Sequence, residues 1–428
     1  MIYKEDNVHY RRGMELFQHN KFGSAEEEFN QAIIEIKNNG ETNDHLFLIN
    51  AYYYQALCSK NLARPDAEKL FFDLVDHFEK SPVTRLSYFH LGDIYFEKKK
   101  YDKAIASYKQ ADKDDLNPVQ KTEYAFQLGF SYFYKKDFDK AQPLFGEVMN
   151  LEGKYYYPAN YYYGYISYKK GDYAQALKSF KVVEKSSLYE PIVPYYIANI
   201  KYHQKKYDEV IEYASALADK KVQYTLEMQQ LIGKSYFQKK QYDKALPYLT
   251  AYMSGTNKIN KSDLYQIAYC QYEVKNYNEA INSFKELNVV KDSLGQNSMY
   301  LLANSYLKTN QKNEARLAFE EASKLPFDPF VKEQATFQFA KLSYDLNYHD
   351  VTVKSLQNFI SEYPNSKYTD EAKEYLSLEL LATQDFKDAL EVLRSITDKN
   401  LQIRKAYQKV SYSYATELYN LKEYENAL

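Results

Sequence analysis

The fold is decided by one stretch of the sequence, Leu91-Gly92-Asp93-Ile94-Tyr95-Phe96-Glu97-Lys98-Lys99-Lys100-Tyr101-Asp102-Lys103-Ala104-Ile105-Ala106-Ser107-Tyr108. It predicts the end of one helix, a basic turn and the start of a second helix. Gly92 precedes Tyr95 by three residues, Ala104 by twelve and Tyr108 by sixteen. The rest of the chain repeats this helix–turn–helix pattern.

Twelve small or β-branched residues mark the start of the second helix in successive copies, at intervals of 34 to 42 residues. In eleven copies a small residue stands twelve positions earlier, where it would let the two helices approach closely; in the second copy Ala56 stands one position nearer. A bulky residue four positions later would fill the space between neighbouring helices. Aspartates two positions before the marker, such as Asp102 and Asp139, are predicted N-caps of the second helix. The markers are Ala25, Ala67, Ala104, Ala141, Ala176, Val210, Ala245, Ala280, Ala315, Thr352, Ala389 and Ala427.

The spacing Gly-x2-Tyr…Tyr-Asp-x-Ala-x3-Tyr/Phe resembles the tetratricopeptide repeat (TPR), a helix–turn–helix unit of about 34 residues. The resemblance covers residues 7–428 and implies an all-α fold, a right-handed superhelical α-solenoid of about eleven to twelve helix pairs. We predict one solenoid over residues 1–428, with repeats 1–5 in 7–185, repeats 6–9 in 191–325 and repeats 10–12 in 332–428, the last of them incomplete. Val210 and Thr352 make repeats six and ten irregular, and a local change of superhelix pitch is predicted at repeat six.

Composition excludes several classes of partner. The chain has 56 Lys and Arg against 58 Asp and Glu, a net charge of −2, so no overall field attracts nucleic acid or an anionic membrane. No stretch approaches the roughly 20 apolar residues of a transmembrane helix, and residues 1–6 show no signal-peptide pattern. Cys58 and Cys270 fall six repeats apart, so a solenoid would keep them from forming a disulfide.

No residue pattern points to catalysis or to a bound metal or cofactor. The seven histidines are scattered, with no metal-binding pair on one helix, and the sequence contains no paired-cysteine motif and no G-x-S-x-G elbow. Gly233-Lys234-Ser235 imitates the end of a phosphate loop, but Met228 stands where the first glycine is required. We therefore predict that the protein is not an enzyme and binds no cofactor. The lysine runs in the turns are interpreted as helix C-terminal charges rather than a phosphate-tracking stripe.

First helices line the concave groove in TPR proteins, and the resemblance implies the same here. Positions three before, one after and four after the small residue give the candidate groove face, which is predicted to bind an extended or helical peptide. Packing between helices is an equally good explanation for any one of these rings. Chaperone-binding TPR proteins bind a C-terminal carboxylate with Lys and Asn at fixed first-helix positions, an arrangement called a carboxylate clamp. Asn199 and Asn304 occupy such a position but lack the basic neighbours, so a clamp is not predicted. The predicted peptide-binding residues are Phe126, Phe130, Phe133, Tyr161, Tyr165, Tyr168, Tyr195, Asn199, Tyr202, Tyr265, Tyr269 and Tyr272.

A narrower resemblance concerns the cellular location. The segment Phe359-Ile360-Ser361-Glu362-Tyr363-Pro364-Asn365-Ser366 is similar to inter-repeat junctions of bacterial cell-envelope TPR proteins, and residues 74–81 partly repeat it. This resemblance implies a periplasmic or cell-envelope location, with the cytoplasm as the alternative.

The last helix suggests a further contact. Tyr407, Val410, Tyr414, Leu418 and Leu421 share one helical face that nothing downstream would cover. We therefore expect either a longer array or the docking of another subunit at this end.

Three functions follow from these features. The first is a non-catalytic scaffold or adaptor that binds protein or peptide partners along a concave aromatic groove. The second is a ligand-sensing regulator, suggested by the two irregular repeats. The third is a regulatory segment of a larger enzyme, suggested by the uncovered last helix.

Overall fold

A computed structural model describes residues 8–39, 45–78, 81–217, 223–256, 260–287, 291–396 and 401–428. These ranges contain 24 α-helices and no β-strand, which confirms the predicted all-α class of helix pairs. The chain forms two compact units, residues 1–200 with 221–223 and residues 201–220 with 224–428. The handedness of the superhelix and its continuity as one solenoid remain predictions.

The first unit contains five helix pairs, in which each helix contacts the next one along the chain. A short 3-10 turn, Lys113–Asp115, separates the third pair from the fourth. The helix α11, Val193–His203, begins in this unit and ends in the next. The five pairs are α1 (Val8–Gln18) and α2 (Phe22–Asn39), α3 (His45–Asn61) and α4 (Ala67–His77), α5 (Pro82–Glu97) and α6 (Tyr101–Gln110), α7 (Pro118–Tyr134) and α8 (Phe138–Val148), and α9 (Tyr156–Lys169) and α10 (Tyr173–Val183).

The second unit continues the same alternation of first and second helices. Its helices are α12 (Tyr207–Ser215), α13 (Thr225–Gln238), α14 (Tyr242–Gly255), α15 (Lys261–Glu273), α16 (Tyr277–Lys285), α17 (Ser293–Lys308), α18 (Lys312–Lys324), α19 (Pro329–Asp345), α20 (His349–Glu362), α21 (Thr369–Ala382), α22 (Phe386–Arg394), α23 (Leu401–Asn420) and α24 (Tyr424–Ala427).

The turn inside each repeat is closed by one residue in the left-handed conformation. In the third repeat this residue is Lys99, with φ 56°. The amide of Lys100 donates to the carbonyl of Tyr95 at 2.8 Å, and the amide of Lys99 donates to that of Phe96 at 2.9 Å. This is the Schellman arrangement, which satisfies the last carbonyls of the first helix and reverses the chain. The left-handed residues of these twelve turns are Asn20, Ala63, Lys99, Lys136, Gly171, Lys205, Lys240, Lys275, Asn310, Asn347, Gln384 and Lys422.

The predicted aspartate N-caps are wrong, because the second helices that carry these aspartates begin three residues before the marker. Asp102 lies inside the first turn of α6, and Lys100 is the N-cap residue. Asp139 lies inside the first turn of α8, while Asp137 is the N-cap and accepts a hydrogen bond from the Lys140 amide. An acidic residue within the first turn still stabilises the positive end of the helix dipole. These aspartates also form ion pairs with lysines of the following repeat, such as Lys135 Nζ with Asp102 Oδ1 at 3.0 Å and Lys170 Nζ with Asp139 Oδ1 at 2.7 Å.

The close approach of paired helices is confirmed at the glycines of the first helices. A Cβ atom added at Gly13 would lie 2.8 Å from the ring of Phe29, and one added at Gly164 would lie 3.1 Å from the ring of Phe180. Both rings are fully buried. The bulky residue four after the marker therefore packs directly on the small residue of the partner helix. Val210 and Thr352 are buried at the marker position, as are all the marker alanines except Ala427.

Two junctions between repeats share one hydrogen-bonded corner. In one junction the Thr369 hydroxyl donates to the Tyr363 carbonyl at 2.7 Å, and the Ser366 amide donates to the same carbonyl at 3.1 Å. Thr84 and Phe78 repeat this pair of contacts in the other junction, through the amide of Ser81. The residues that carry the cell-envelope resemblance therefore have a local structural role.

The face of α23 that was expected to be uncovered is in fact packed. Val410 and Leu418 are buried, and Tyr407 and Tyr414 pack against the same core of the second unit. Leu421 is exposed, as are Tyr412 and Tyr419 on another face of the helix. The prediction was wrong because the stripe that includes Ile403, Ala406 and Val410 faces α22. Docking at this end has no support from the packing.

Candidate functional site

Aromatic side chains connect neighbouring first helices of the first unit. The residue four after the small residue of one repeat contacts the residue one after the small residue of the next. The ring centroids of Phe96 and Phe130 are 5.6 Å apart, and those of Phe133 and Tyr165 are 5.5 Å apart. We call the aromatic ladder the set Phe96, Phe130, Phe133, Tyr165, Tyr168 and Asn199.

The last contact of the ladder is a hydrogen bond between side chains. The Tyr168 hydroxyl donates to Asn199 Oδ1 at 3.0 Å, and Asn199 Nδ2 donates to the Tyr195 hydroxyl at 3.3 Å. Burial raises the pKa of Tyr168 to about 12, with smaller contributions from neighbouring tyrosines, so its hydroxyl stays protonated and can donate. The amide oxygen of Asn199 is therefore used inside the protein, and Asn199 does not act as part of a carboxylate clamp in this conformation.

One lysine lies on the ladder. Lys169 Nζ is 5.5 Å from the ring centroid of Tyr165 and 5.8 Å from that of Tyr168. Such contacts are worth about 0.5–1 kcal/mol at exposed sites. The ammonium group thus already occupies the electron-rich faces that another cation would use.

Two tyrosines that the groove prediction omitted support the ladder from the next repeat. Tyr162 contacts Phe130 at 5.1 Å and Phe133 at 4.8 Å between centroids. Tyr196 contacts Tyr165 at 5.7 Å in the same way. Both stand two positions before the small residue of their repeats. This recurrence is the sequence signal that identifies them.

The twelve predicted groove residues differ in how much of each remains accessible. Phe126 is only 7% exposed and its ring stacks on Tyr155 at 4.3 Å, so it packs between helices. Tyr161 is half-buried and stacks on Tyr189 at 4.7 Å. The other predicted residues are also half-buried. Their role in binding a peptide remains a prediction.

The corresponding residues of the second unit form a shorter aromatic surface. Tyr269 lies 5.7 Å from Phe237 and 6.0 Å from Tyr265 between centroids. Tyr272 and Tyr202 each contact the first tyrosine of their second helix, at 5.7 Å and 5.6 Å. Asn304 donates to the carbonyl of Tyr300 at 2.9 Å, within its own helix.

A buried polar network replaces the aromatic contact between the second and third repeats. Lys60 Nζ lies 2.6 Å from Asp93 Oδ2 and 3.1 Å from His90 Nδ1. His90 Nε2 is 2.9 Å from the Tyr53 hydroxyl, and the Tyr108 hydroxyl donates to Asp93 Oδ1 at 2.8 Å. Each ionisable side chain in this network is in contact with at least one of the others. The network therefore stabilises the contact between two repeats and offers no free group to a substrate.

The pKa values in this network follow from its burial and charges. Burial, with the nearby charge of Lys60, lowers the pKa of His90 to about 4. Burial alone would raise the pKa of Asp93, but the hydrogen bond to His90 and the charge of Lys60 outweigh it, so this pKa is lowered. At neutral pH the network holds a neutral histidine beside a lysine–aspartate ion pair.

Other kinds of site were sought in the same part of the chain. Among the described residues no group of three or more His, Cys, Asp or Glu side chains is placed to hold a metal ion. None of the described helices is both long and apolar enough to span a membrane. Cys58 and Cys270 are buried free thiols.

Family models match three segments of the chain. The tetratricopeptide repeat model matches residues 87–113 and 296–329. These two segments are therefore similar to the tetratricopeptide repeat. A model for subunit 3 of the anaphase-promoting complex, or cyclosome, matches residues 211–287. No curated protein matches the sequence.

Several solved structures are similar to this chain. The TPR domain of P58(IPK) is 12% identical, with 96% of this chain and 98% of that chain covered and a TM-score of 0.25. The Naa15/Naa10 complex bound to HypK-THB is 14% identical over 98% of this chain and 67% of that chain, with a TM-score of 0.41. A tetratricopeptide repeat protein from Parabacteroides merdae is 17% identical over 59% of this chain and 98% of that chain, with a TM-score of 0.34. Because all three TM-scores are below 0.5, no partner or activity carries over from these matches.

Proposed function

We propose that the protein is a non-catalytic scaffold that binds polypeptide partners along the aromatic ladder of its first unit. The supporting observation is the ladder itself, a series of half-buried rings from Phe96 to Tyr168 on consecutive first helices. TPR units are in general protein–protein interaction modules, and half-buried tyrosines give large contact areas at low entropic cost. The internal pairing of the Lys60, His90 and Asp93 side chains supports the non-catalytic part of the proposal.

Tyr134 provides a test because it is next to the ladder and 63% exposed. It stands five positions after Gly129, and its ring lies 4.3 Å from that of Tyr101. Tyr134→Ala should weaken binding of a polypeptide partner while leaving stability nearly unchanged. Tyr157→Ala, at a 38% exposed tyrosine of the first turn of α9, is the matched control.

The experiment is a binding titration of a partner segment isolated by crosslinking to the intact chain. The proposal expects a weaker complex for Tyr134→Ala and an unchanged one for Tyr157→Ala. Equal affinities for both variants and the wild type, with intact helix content, would contradict binding at the ladder.

The regulator hypothesis lacks a supporting observation. It was suggested by Val210 and Thr352, and both are buried at the same position as the marker alanines. The scaffold therefore remains the proposed function.

A periplasmic or cell-envelope location is a separate proposal, with the cytoplasm as its alternative. Its only support is the similarity of residues 359–366 to cell-envelope junctions. Fractionation of cells that express the full-length gene would decide between the two compartments.

A further inference from the structure

We propose that the aromatic ladder takes an uncharged, proline-rich segment in the polyproline II conformation. This inference rests on the proposed function and specifies the chemistry of the partner. It depends on the hydrogen-bonding groups, the charges and the spacing of the ladder.

Tyr165 of the ladder and Tyr134 beside it offer hydroxyl groups that can donate to a ligand. Among the described residues the Tyr165 and Tyr134 hydroxyls have no hydrogen-bond partner, so both can donate to a ligand. The Asn199 amide oxygen is already used by Tyr168. Proline has a backbone carbonyl and no N–H, and a polyproline II helix leaves its carbonyls without internal hydrogen bonds. Its acceptors therefore match the donors of this surface.

The charges of the surface favour a neutral ligand. In repeats four and five, and in the part of repeat six up to residue 200, the groove positions three before and one, four and five after the small residue carry only one charge, that of Lys169. In repeat three the same positions carry Asp93, which is paired with Lys60, and the exposed Glu97 at the start of the ladder. The Lys169 ammonium lies over two rings of the ladder. A basic segment would meet that cation at the ring faces, and an acidic terminus would find a single lysine instead of a cluster. Neither type of charged ligand is as well matched as an uncharged one.

The spacing of the helices is compatible with this ligand. The first helices α5, α7 and α9 contact one another in order along the first unit, and packed helices lie about 8–10 Å apart. One turn of polyproline II is three residues of about 3.1 Å each, or about 9 Å. Equivalent ring positions such as Phe130 and Tyr165 therefore recur at about one ligand turn.

Other peptide conformations fit less well. Strand addition needs an exposed sheet edge, and the described part of the chain contains no strand. A helical ligand satisfies the carbonyls of its interior, so only its side chains and its last turn could accept from the Tyr165 hydroxyl. Aromatic-lined grooves are, by contrast, a common binding surface for preformed polyproline II segments.

The test uses the intact chain and a panel of labelled peptides. Fluorescence anisotropy would compare nonaproline with a neutral Gly/Ser peptide of equal length, an amphipathic helical peptide and an acidic C-terminal peptide. Tyr165→Phe removes the hydroxyl and keeps the ring, and Tyr157→Phe is the matched control. We expect nonaproline to bind most tightly, and Tyr165→Phe to weaken that binding by about three- to tenfold, the loss of one hydrogen bond. Tyr157→Phe should leave it unchanged.

The outcomes separate the two proposals. If another peptide of the panel binds more tightly than nonaproline, and Tyr134→Ala weakens the binding of that peptide, the polyproline inference fails and the scaffold function stands. If nonaproline binds equally well to Tyr165→Phe, the assigned donor is wrong and the inference fails. If no peptide binds and Tyr134→Ala leaves a natural partner unaffected, both proposals fail.

Discussion

Replacing Gly92 by alanine tests how tightly the paired helices are held together. A Cβ atom at Gly92 would lie within 2.5 Å of Tyr108 Cδ1 and 2.8 Å of its Cζ. Carbon atoms in favourable contact are about 3.5–4.0 Å apart, so the ring would have to move by about 1 Å. The ring is fully buried, and its hydroxyl is hydrogen-bonded to Asp93 Oδ1 and lies 2.7 Å from Oε1 of Gln127. Movement therefore strains the core and the polar network together.

The expected loss of stability combines three contributions. Overpacking of a core costs about 1–3 kcal/mol, and a weakened hydrogen bond to a charged group costs about 1.5–3 kcal/mol. Alanine offsets about 1 kcal/mol of this loss, because it is a better helix former than glycine. We expect Gly92→Ala to lower the free energy of unfolding by about 1.5–5 kcal/mol.

Gly146→Ala is the matched control, because it changes a glycine inside α8 of the same unit. There the added Cβ would lie 3.6 Å from Tyr163, an ordinary contact. This variant should gain about 0.5–1 kcal/mol. Urea unfolding followed by circular dichroism gives the global change, and hydrogen exchange in α5 and α6 shows whether the loss is local. A Gly92→Ala protein as stable as Gly146→Ala would refute the close-packing argument.

Three other changes are expected to alter stability. The pKa of His90 is about 4 in the folded chain and about 6.5 when unfolded, so the unfolded state binds the proton first as the pH falls. The free energy of unfolding should therefore fall by up to about 3 kcal/mol as the pH is lowered from 6.5 to 4. His90→Gln should remove this loss when unfolding is measured as a function of pH. Lys99→Gly removes the strain of a lysine in the left-handed conformation and should stabilise the protein by about 1 kcal/mol. Lys98→Gly, at a residue with φ −75°, should destabilise it by a similar amount. Equal unfolding midpoints for the two variants would contradict this expectation. Gln296 is buried, and its side chain lies 2.5 Å from the Leu325 carbonyl and 2.6 Å from the Asp328 amide. Gln296→Ala should lower the free energy of unfolding by about 2–3 kcal/mol and speed hydrogen exchange at the junction between α18 and α19. Unchanged exchange there would contradict the role assigned to this glutamine.

The helix pairs could be predicted from the sequence because one local contact repeats. Gly92 and Tyr108 are only sixteen residues apart, and both belong to the same pair. Spacing alone therefore identifies the small residue and the ring that packs on it. The helix starts were less predictable, because the left-handed lysine at position 99 closes the turn without the glycine or asparagine typical of such positions. Asp102 consequently falls inside the helix instead of before it.

The polar network between repeats two and three lay beyond this kind of prediction. Lys60 and Asp93 are 33 residues apart, and neither stands out in its own repeat. Their pairing becomes visible only when residues four after and one after the small residues are compared between repeats. Periodicity within one helix cannot show that comparison.

The candidate site illustrates the same limit, because exposure of a groove residue depends on the following repeat. Tyr412 and Tyr419 occupy the groove positions of the twelfth repeat and are 74% and 63% exposed. Tyr165 and Tyr168 occupy such positions in the fifth repeat and are half-buried, since Tyr196 of the next repeat packs on both. A single-helix pattern gives these tyrosines the same role. The ladder side chains therefore join repeats as well as facing the groove, so Tyr165→Phe, which keeps the packed ring, is better suited to test ligand binding than a truncation to alanine.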